Sequence, residues 1–258
     1  MKFSDKIKKE FSGKNVLLLQ GPVGTFFHRL AIKMKKNKTK VFKLNFNGGD
    51  FLFYPSGKRC KCDEKDLENF YENFFKEKKT DAIVMYNDCR LIHAKAIKVA
   101  KELGIGIWIF EEGYLRPYCI TFEKDGVNAN SSLPHHPMDR GYRNYSKLIN
   151  GLSQKYHVEG RIFYVHDTYL PTLLKNALGC ITINSTVGLS AILEGCPTKV
   201  CGNAFYNFEG LAYPKKLQFF WREAHAYKPN PSLVINFKNY LLNTNQFNGN
   251  FYKNSFLG

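Results

Sequence analysis

What most restricts the fold of this chain is the way short apolar runs alternate with longer amphipathic stretches. Val16-Leu17-Leu18-Leu19 is an apolar run that closes in Gln20-Gly21-Pro22, as a buried strand does when it meets a turn. Residues 26–34 then place apolar side chains at helical spacing with basic positions between them. Residues 41–46 alternate at period two and stop at Asn47-Gly48-Gly49. A charged helix over residues 63–79 leads into a strand at 82–86. Asn87-Asp88 is placed to cap a helix running through Leu103, and a further strand follows at 104–110. Strands that recur with a helix between them pair in parallel, because the helix is the crossover that returns the chain to the same edge. The pattern predicts a parallel sheet with helices on both faces.

The second half repeats this order more thinly. Strands are expected at residues 161–165, 180–183 and 198–200, with helices over 170–178, from Asn184-Ser185-Thr186 to 193, and over 233–242. At roughly 100–200 residues per domain, 258 residues accommodate two small domains. The fold class expected is therefore α/β, with two Rossmann-like units. One spans residues 1–130, and an abbreviated one spans 131–258 together with the tail.

Charge and cysteine usage narrow the function. The chain carries 38 Lys+Arg against 22 Asp+Glu, a net charge of +16, and residues 1–40 alone hold ten Lys and one Arg against two acids. Such a surface favours a polyanion, whether a nucleic acid, an anionic membrane face or a phosphorylated substrate. No module motif for nucleic acid occurs, so no nucleic-acid partner is expected. No apolar run approaches the roughly 18–20 residues of a membrane span, and the first residues lack the apolar segment of a signal peptide. The seven cysteines are scattered without a CxxC or a zinc-type Cys/His spacing. They read as thiols of a reducing, cytoplasmic compartment. No Asp-x-Asp or carboxylate cluster suits a divalent cation on a diphosphate, so no metal is expected.

In an open α/β sheet, ligands bind beyond the carboxyl ends of the strands. Four stretches fall there. Gly21-Pro22-Val23-Gly24-Thr25 joins a strand to a helix, and its glycines and free N–H groups suit an anion, although a structural turn has the same composition. Glu111-Glu112-Gly113 follows an apolar strand, where desolvation and mutual repulsion raise at least one carboxyl pKa. Adjacency sends the two side chains in different directions. His135-His136-Pro137 supplies imidazoles for general acid chemistry or phosphate binding. Asn184-Ser185-Thr186-Val187-Gly188 opens a helix, where hydroxyls and N–H groups converge on an anion or simply cap.

Taken together these stretches resemble the KpsS-like capsule polysaccharide proteins. The resemblance is carried by the run from Leu19 to Phe27, by Asn45-Phe46-Asn47-Gly48-Gly49-Asp50, and by Phe110-Glu111-Glu112-Gly113-Tyr114-Leu115-Arg116-Pro117. It continues in His135-His136-Pro137-Met138-Asp139-Arg140-Gly141-Tyr142, in Asn184-Ser185-Thr186-Val187-Gly188-Leu189 and in Gly202-Asn203-Ala204-Phe205-Tyr206. The resemblance implies a retaining β-Kdo transferase of GT-B architecture. Such an enzyme takes CMP-Kdo as donor, and a phosphatidylglycerol-type lipid at the cytoplasmic face of the inner membrane as acceptor. By motif, Glu112 is the catalytic carboxylate, as nucleophile or base, with Glu111 beside it. His136 contacts the CMP phosphate. Gly21, Gly24, Thr25, His135, Asn184, Ser185 and Thr186 lie on the donor-binding side. A single phosphate in the leaving group needs no metal when a His and a helix N-terminus meet its charge. The family's long segment before the His pair is absent, since Ser132-Leu133-Pro134 runs straight into His135. A second reading is thus an internally shortened, catalytically impaired relative that acts at most as a CMP-binding protein or with other capsule assembly proteins.

Overall fold

The structure, a computed structural model, describes residues 2–115, 118–127, 144–165 and 168–252. The first half folds as its periodicity requires. Helix α1 (Phe3–Phe11) precedes β1 (Asn15–Leu18), α2 (Phe26–Lys36), β2 (Lys40–Asn45), α3 (Gly48–Phe53) and β3 (Lys58–Arg59). Then come α4 (Leu67–Lys78), β4 (Ala82–Tyr86), α5 (Leu91–Glu102), β5 (Gly106–Glu112) and β6 (Cys119–Lys124). The expected Asn87-Asp88 cap is not used: Arg90 holds the N-cap position of α5, and Asn87 instead accepts a hydrogen bond from the Cys89 amide at 2.8 Å.

After residue 143 the described elements are α6 (Tyr145–Lys155), α7 (Leu170–Asn176), β7 (Cys180–Thr182), α8 (Thr186–Leu193), β8 (Thr198–Val200), α9 (Leu217–Glu223), α10 (Pro231–Thr244) and β9 (Gln246–Asn248). One expectation fails here. Residues 161–165 form no strand, Ile162, Phe163 and Val165 are exposed, and among the described residues no strand pairs with this stretch.

The main sheet has seven strands in the order β3-β2-β1-β4-β5-β6-β9. The first five run parallel, as expected, whereas β5–β6 and β6–β9 pair antiparallel, so the sheet is mixed. The last strand comes from the tail, across more than a hundred residues of chain. Period two divides the strands between two cores. Val16, Leu18, Val84, Trp108 and Phe110 pack with α1, α2 and the tail residues Phe247 and Phe251. Leu17, Ile83, Met85, Ile107 and Ile109 pack with α4 and α5. Both faces are covered, which is why these strands read as continuous apolar runs.

A second, two-stranded parallel sheet pairs β7 with β8. Helix α8 connects the two strands, and Leu189, Ile192 and Val200 join Tyr206, Leu211 and Leu241 in a third core. Tyr114 and Leu115, just beyond β5, belong to that core as well and dock the second unit onto the first. None of the seven cysteines is in a disulfide. Among the described residues no helix is long and apolar enough to cross a membrane.

Candidate functional site

The β1–α2 connection turns through Gly24, whose φ of +108° is a conformation that side-chain-bearing residues rarely adopt. Gly21 and Gly24 line a cavity of about 390 Å³ at the carboxyl ends of β1, β2 and β4. Thr25 holds the N-cap position of α2, and its hydroxyl caps no amide. The cavity is also lined by Lys43 and Arg90, neither singled out from the sequence, and by Asp50, the last residue of the Asn45–Asp50 run. Gln20 wires the wall together: its amide nitrogen donates to Asp50 Oδ2 at 3.1 Å, and its amide oxygen accepts from Arg90. Asp50 Oδ2 also accepts from the Phe46 amide at 2.9 Å. Lys43 is 7% exposed, and burial pulls its ammonium pKa down to about 8, with the nearby Asp50 carboxylate opposing the shift. Period two alone marks Lys43 as a polar position facing away from its apolar neighbours. The segment that follows β2 folds back over it and buries it.

Glu111 and Glu112 end β5 on opposite faces, as adjacent strand residues must. Glu112 shares the face of Trp108 and Phe110, and there two phenols reach it. Tyr86 and Tyr252 each donate to Glu112 Oε1 over a long 3.4 Å. Both phenol pKa values are raised, first by burial and then by the carboxylates. Glu111 Oε1 accepts from the Glu112 amide at 3.1 Å.

The glycine of this motif has a steric cause. A Cβ on Gly113 would sit 2.2 Å from the Cys119 carbonyl oxygen, so no other residue lets β6 begin so close to the end of β5. The next two amides, of Tyr114 and Leu115, donate to Gln246 Oε1 at 2.7 and 3.2 Å. Gln246 Nε2 donates to Thr121 Oγ1 at 2.9 Å, and Thr121 donates to the Glu112 carbonyl at 3.0 Å. Gln246 is 2% exposed, and it clamps the Glu-Glu-Gly turn from the far end of the chain.

In the second unit, Ser185 caps α8, its Oγ accepting from the Val187 amide at 3.2 Å. Asn184 is buried before it, and Thr186 begins the helix. Tyr206 donates to the Ser185 carbonyl oxygen. Its neighbour Phe205 lies against Tyr114, with ring centroids 4.6 Å apart.

The expected residues therefore fall into three groups with two links. Arg90, in the cavity wall, lies 5.9 Å from the ring centroid of Tyr86, the same tyrosine that donates to Glu112. On the other side, Tyr114, Phe205 and Tyr206 lead from the Glu-Glu-Gly turn to Ser185. Glu111, Glu112, Asn184, Ser185 and Thr186 are not among the residues that line the cavity. His135 and His136 lie outside the described residues. Among the described residues no group of three or more His, Cys, Asp or Glu is arranged to hold a metal ion. Lys43, Asp50, Arg90, Tyr86, Tyr252 and Gln246 were missed because single residues of ordinary type carry no spacing signal. The Asn45–Asp50 run hints at Asp50, and Asn248-Gly249-Asn250-Phe251-Tyr252, a weaker echo of the same resemblance, at Tyr252.

Known proteins give this geometry a context. The family model described as capsule polysaccharide biosynthesis protein matches residues 81–136 and again 135–252, more than half of the chain. Capsule polysaccharide modification protein LipB of Neisseria meningitidis, in a serogroup A and a serogroup B strain, is 28% identical over 392 residues, covering 95% of this chain and 93% of the relative. Capsule polysaccharide export protein KpsS of Escherichia coli is 28% identical over 382 residues, covering 93% of this chain and 97% of the relative. The alignments are longer than the 258 residues of the chain, so the relatives carry well over a hundred residues without a counterpart here. The two family matches meet at His135-His136, which locates the break.

Proposed function

The chain belongs to the capsule polysaccharide biosynthesis family, and from that premise we propose that it is a glycosyltransferase of GT-B type. In this reading it transfers β-Kdo from CMP-Kdo to a phosphatidylglycerol-type lipid and retains configuration at the anomeric carbon. The observation that carries it is Glu112: a carboxylate at the carboxyl end of β5, two residues before the side chains that dock the second unit, held between Tyr86 and Tyr252. A carboxylate fixed at such a seam can attack a sugar carbon or take a proton from an acceptor hydroxyl. His136 and the α8 start at Ser185 and Thr186 then meet the charge of the departing CMP, with Gly21, Gly24, Thr25, His135 and Asn184 on the donor side. No metal enters this scheme. Lys8 and Lys9 at the end of α1, and Lys33, Lys35 and Lys36 at the end of α2, form the contact with the anionic inner-membrane surface.

The test is incubation of the chain with CMP-Kdo and phosphatidylglycerol vesicles, with mass spectrometry of the lipid. A Kdo-lipid is expected, and Glu112→Gln should reduce its formation by on the order of a hundredfold or more while CMP affinity stays within a few-fold. Near-normal turnover in Glu112→Gln would remove the carboxylate from the mechanism. The break at His135-His136 favours the second reading, a shortened relative that binds CMP or partners without transfer. Binding of CMP with no Kdo-lipid formed is the outcome that selects it.

A further inference from the structure

The edge of a sheet presents a row of N–H and C=O groups ready to pair with another strand. The main sheet ends at β3 in two exposed, charged residues, Lys58 and Arg59, an edge of the kind that turns other strands away. The small sheet ends at β7 without such a guard. Residues 176–184 contain neither a charged residue nor a proline. Among the described residues no strand pairs with β7 on the side away from β8.

Strand alternation fixes what this edge offers. On the β8 side, the Cys180 N–H donates to the Pro197 carbonyl at 2.7 Å, and the Thr182 carbonyl accepts from the Cys201 amide at 2.8 Å. The N–H and C=O of Ile181, between them, therefore point to the open side. Cys180 and Thr182 lie toward α8, so the Ile181 side chain points to the opposite face. Gly179, which shares that face, lies against Phe220 of α9. Helix α9 covers only this start of the face, and Ile181 and Ile183 stay exposed beyond it. Together with Leu173, Leu178, Phe219 and Trp221 they expose roughly 700 Å², close to the ~800 Å² that each partner of a standard interface buries. Self-repulsion is also weak here. Residues 170–225 hold five Lys and Arg against three Glu, whereas residues 1–40 hold eleven against two acids. Lys175 and Lys215 are already paired, with Glu194 and Glu223.

We propose that two copies of this chain pair through β7, antiparallel across a two-fold axis at Ile181, so that the two small sheets join into one. A strand that pairs with its own copy about such an axis does so with one residue facing itself. Ile181 suits that place, because its outward N–H and C=O let the two copies exchange both hydrogen bonds. A lipid surface would cover the apolar side chains but leave these backbone groups unsatisfied, whereas a second strand meets both demands. This pairing does not rest on the transferase reading.

Analytical ultracentrifugation of the full chain over a micromolar concentration series tests it. A monomer–dimer equilibrium is expected. Ile181→Lys sets like charges against each other at the axis and should weaken the dimer by on the order of tenfold. Ile181→Asp should do the same, and mixing the two variants should restore a one-to-one pair, because Lys then faces Asp. Circular dichroism checks that the variants fold. Should they fail to fold, Trp221→Gln, on the exposed side of α9, carries the comparison, with a several-fold loss of association expected. A chain that stays monomeric across the series would overturn the proposal, as would association that survives both Ile181 variants. Folded variants that fail to associate when mixed would overturn strand pairing in favour of unspecific apolar clustering. Recruitment of the monomer to neutral phosphatidylcholine vesicles, lost in Trp221→Gln, would overturn it by assigning the patch to a membrane.

Discussion

On β4, the neighbouring residues Ile83 and Val84 are both 0% exposed, because helices cover both faces of the seven-stranded sheet. On β7, in the two-stranded sheet, Ile181 is 39% exposed, and Ile183 just beyond it is 65% exposed. The two sequences are similarly apolar and both form parallel strands. What separates them is the number of layers available to cover them: α8 packs on one face of the small sheet, while β7 is left as an open edge. Leu173, Leu178, Phe219 and Trp221 are also exposed on neighbouring elements of this unit. The alignments with the relatives are longer than this chain, and the two family matches meet at residues 135–136, ahead of this region in the chain. An apolar strand is therefore buried only as far as the rest of the chain supplies a cover for it.

The two tryptophans report on the two regions separately. Trp108 lies 5% exposed in the main sheet, and Trp221 lies 72% exposed on α9. The largest expected effect is Phe110→Ala, which removes a ring stacked on Phe122 at 4.4 Å and edge-on to Phe26 at 5.2 Å. It should cost about 3–5 kcal/mol in urea unfolding followed at Trp108. Ile181→Ala in the small sheet should cost less than about 1 kcal/mol. Equal costs would erase the distinction between the sheets.

A middle-sized effect is tied to pH. His93 on α5 is fully buried, and its Nδ1–H donates to the Asn87 carbonyl at 2.5 Å. Burial first, and then Arg90 and Lys43, hold its pKa down to about 3, from an ordinary value of 6.5. The unfolded chain takes up this proton near 6.5 and the folded chain does not. The contribution is thus complete above pH 6.5 and is lost as pH falls toward 3, at up to about 1.4 kcal/mol per unit. Urea midpoints at Trp108 measured from pH 7 to pH 5 should fall accordingly, and His93→Leu should flatten the slope. An unchanged slope in that variant would assign the acid sensitivity elsewhere.

A third effect joins the regions. Gln246→Ala leaves the buried Tyr114 and Leu115 amides without their acceptor, a loss of about 1–3 kcal/mol. Because Tyr114 and Leu115 belong to the core of the second unit, the Trp221 transition should shift along with that of Trp108. A shift confined to Trp108 would show the two units to be less coupled than the clamp implies.

The amino-acid sequence by itself determined β1, β2, β4 and β5 and the helices α2, α4 and α5 between them, because burial on both faces writes itself as apolar runs and amphipathic helices write their period; α1, α3, β3 and β6 carry no such signal. It also determined the glycine-bearing turn at Gly24 and the cap at Ser185, since each is a local demand on one residue. Only the tertiary structure decided that β9 returns from the tail to complete the first sheet, that residues 161–165 form no strand, and that Lys43 is buried in the wall that Arg90 also lines. It also decided which phenols reach Glu112. These outcomes depend on which distant surfaces meet. Backbone hydrogen bonds, desolvation and charge act through space, and a residue such as Gln246 or Lys43 gains its meaning only from neighbours that the order of the chain does not reveal.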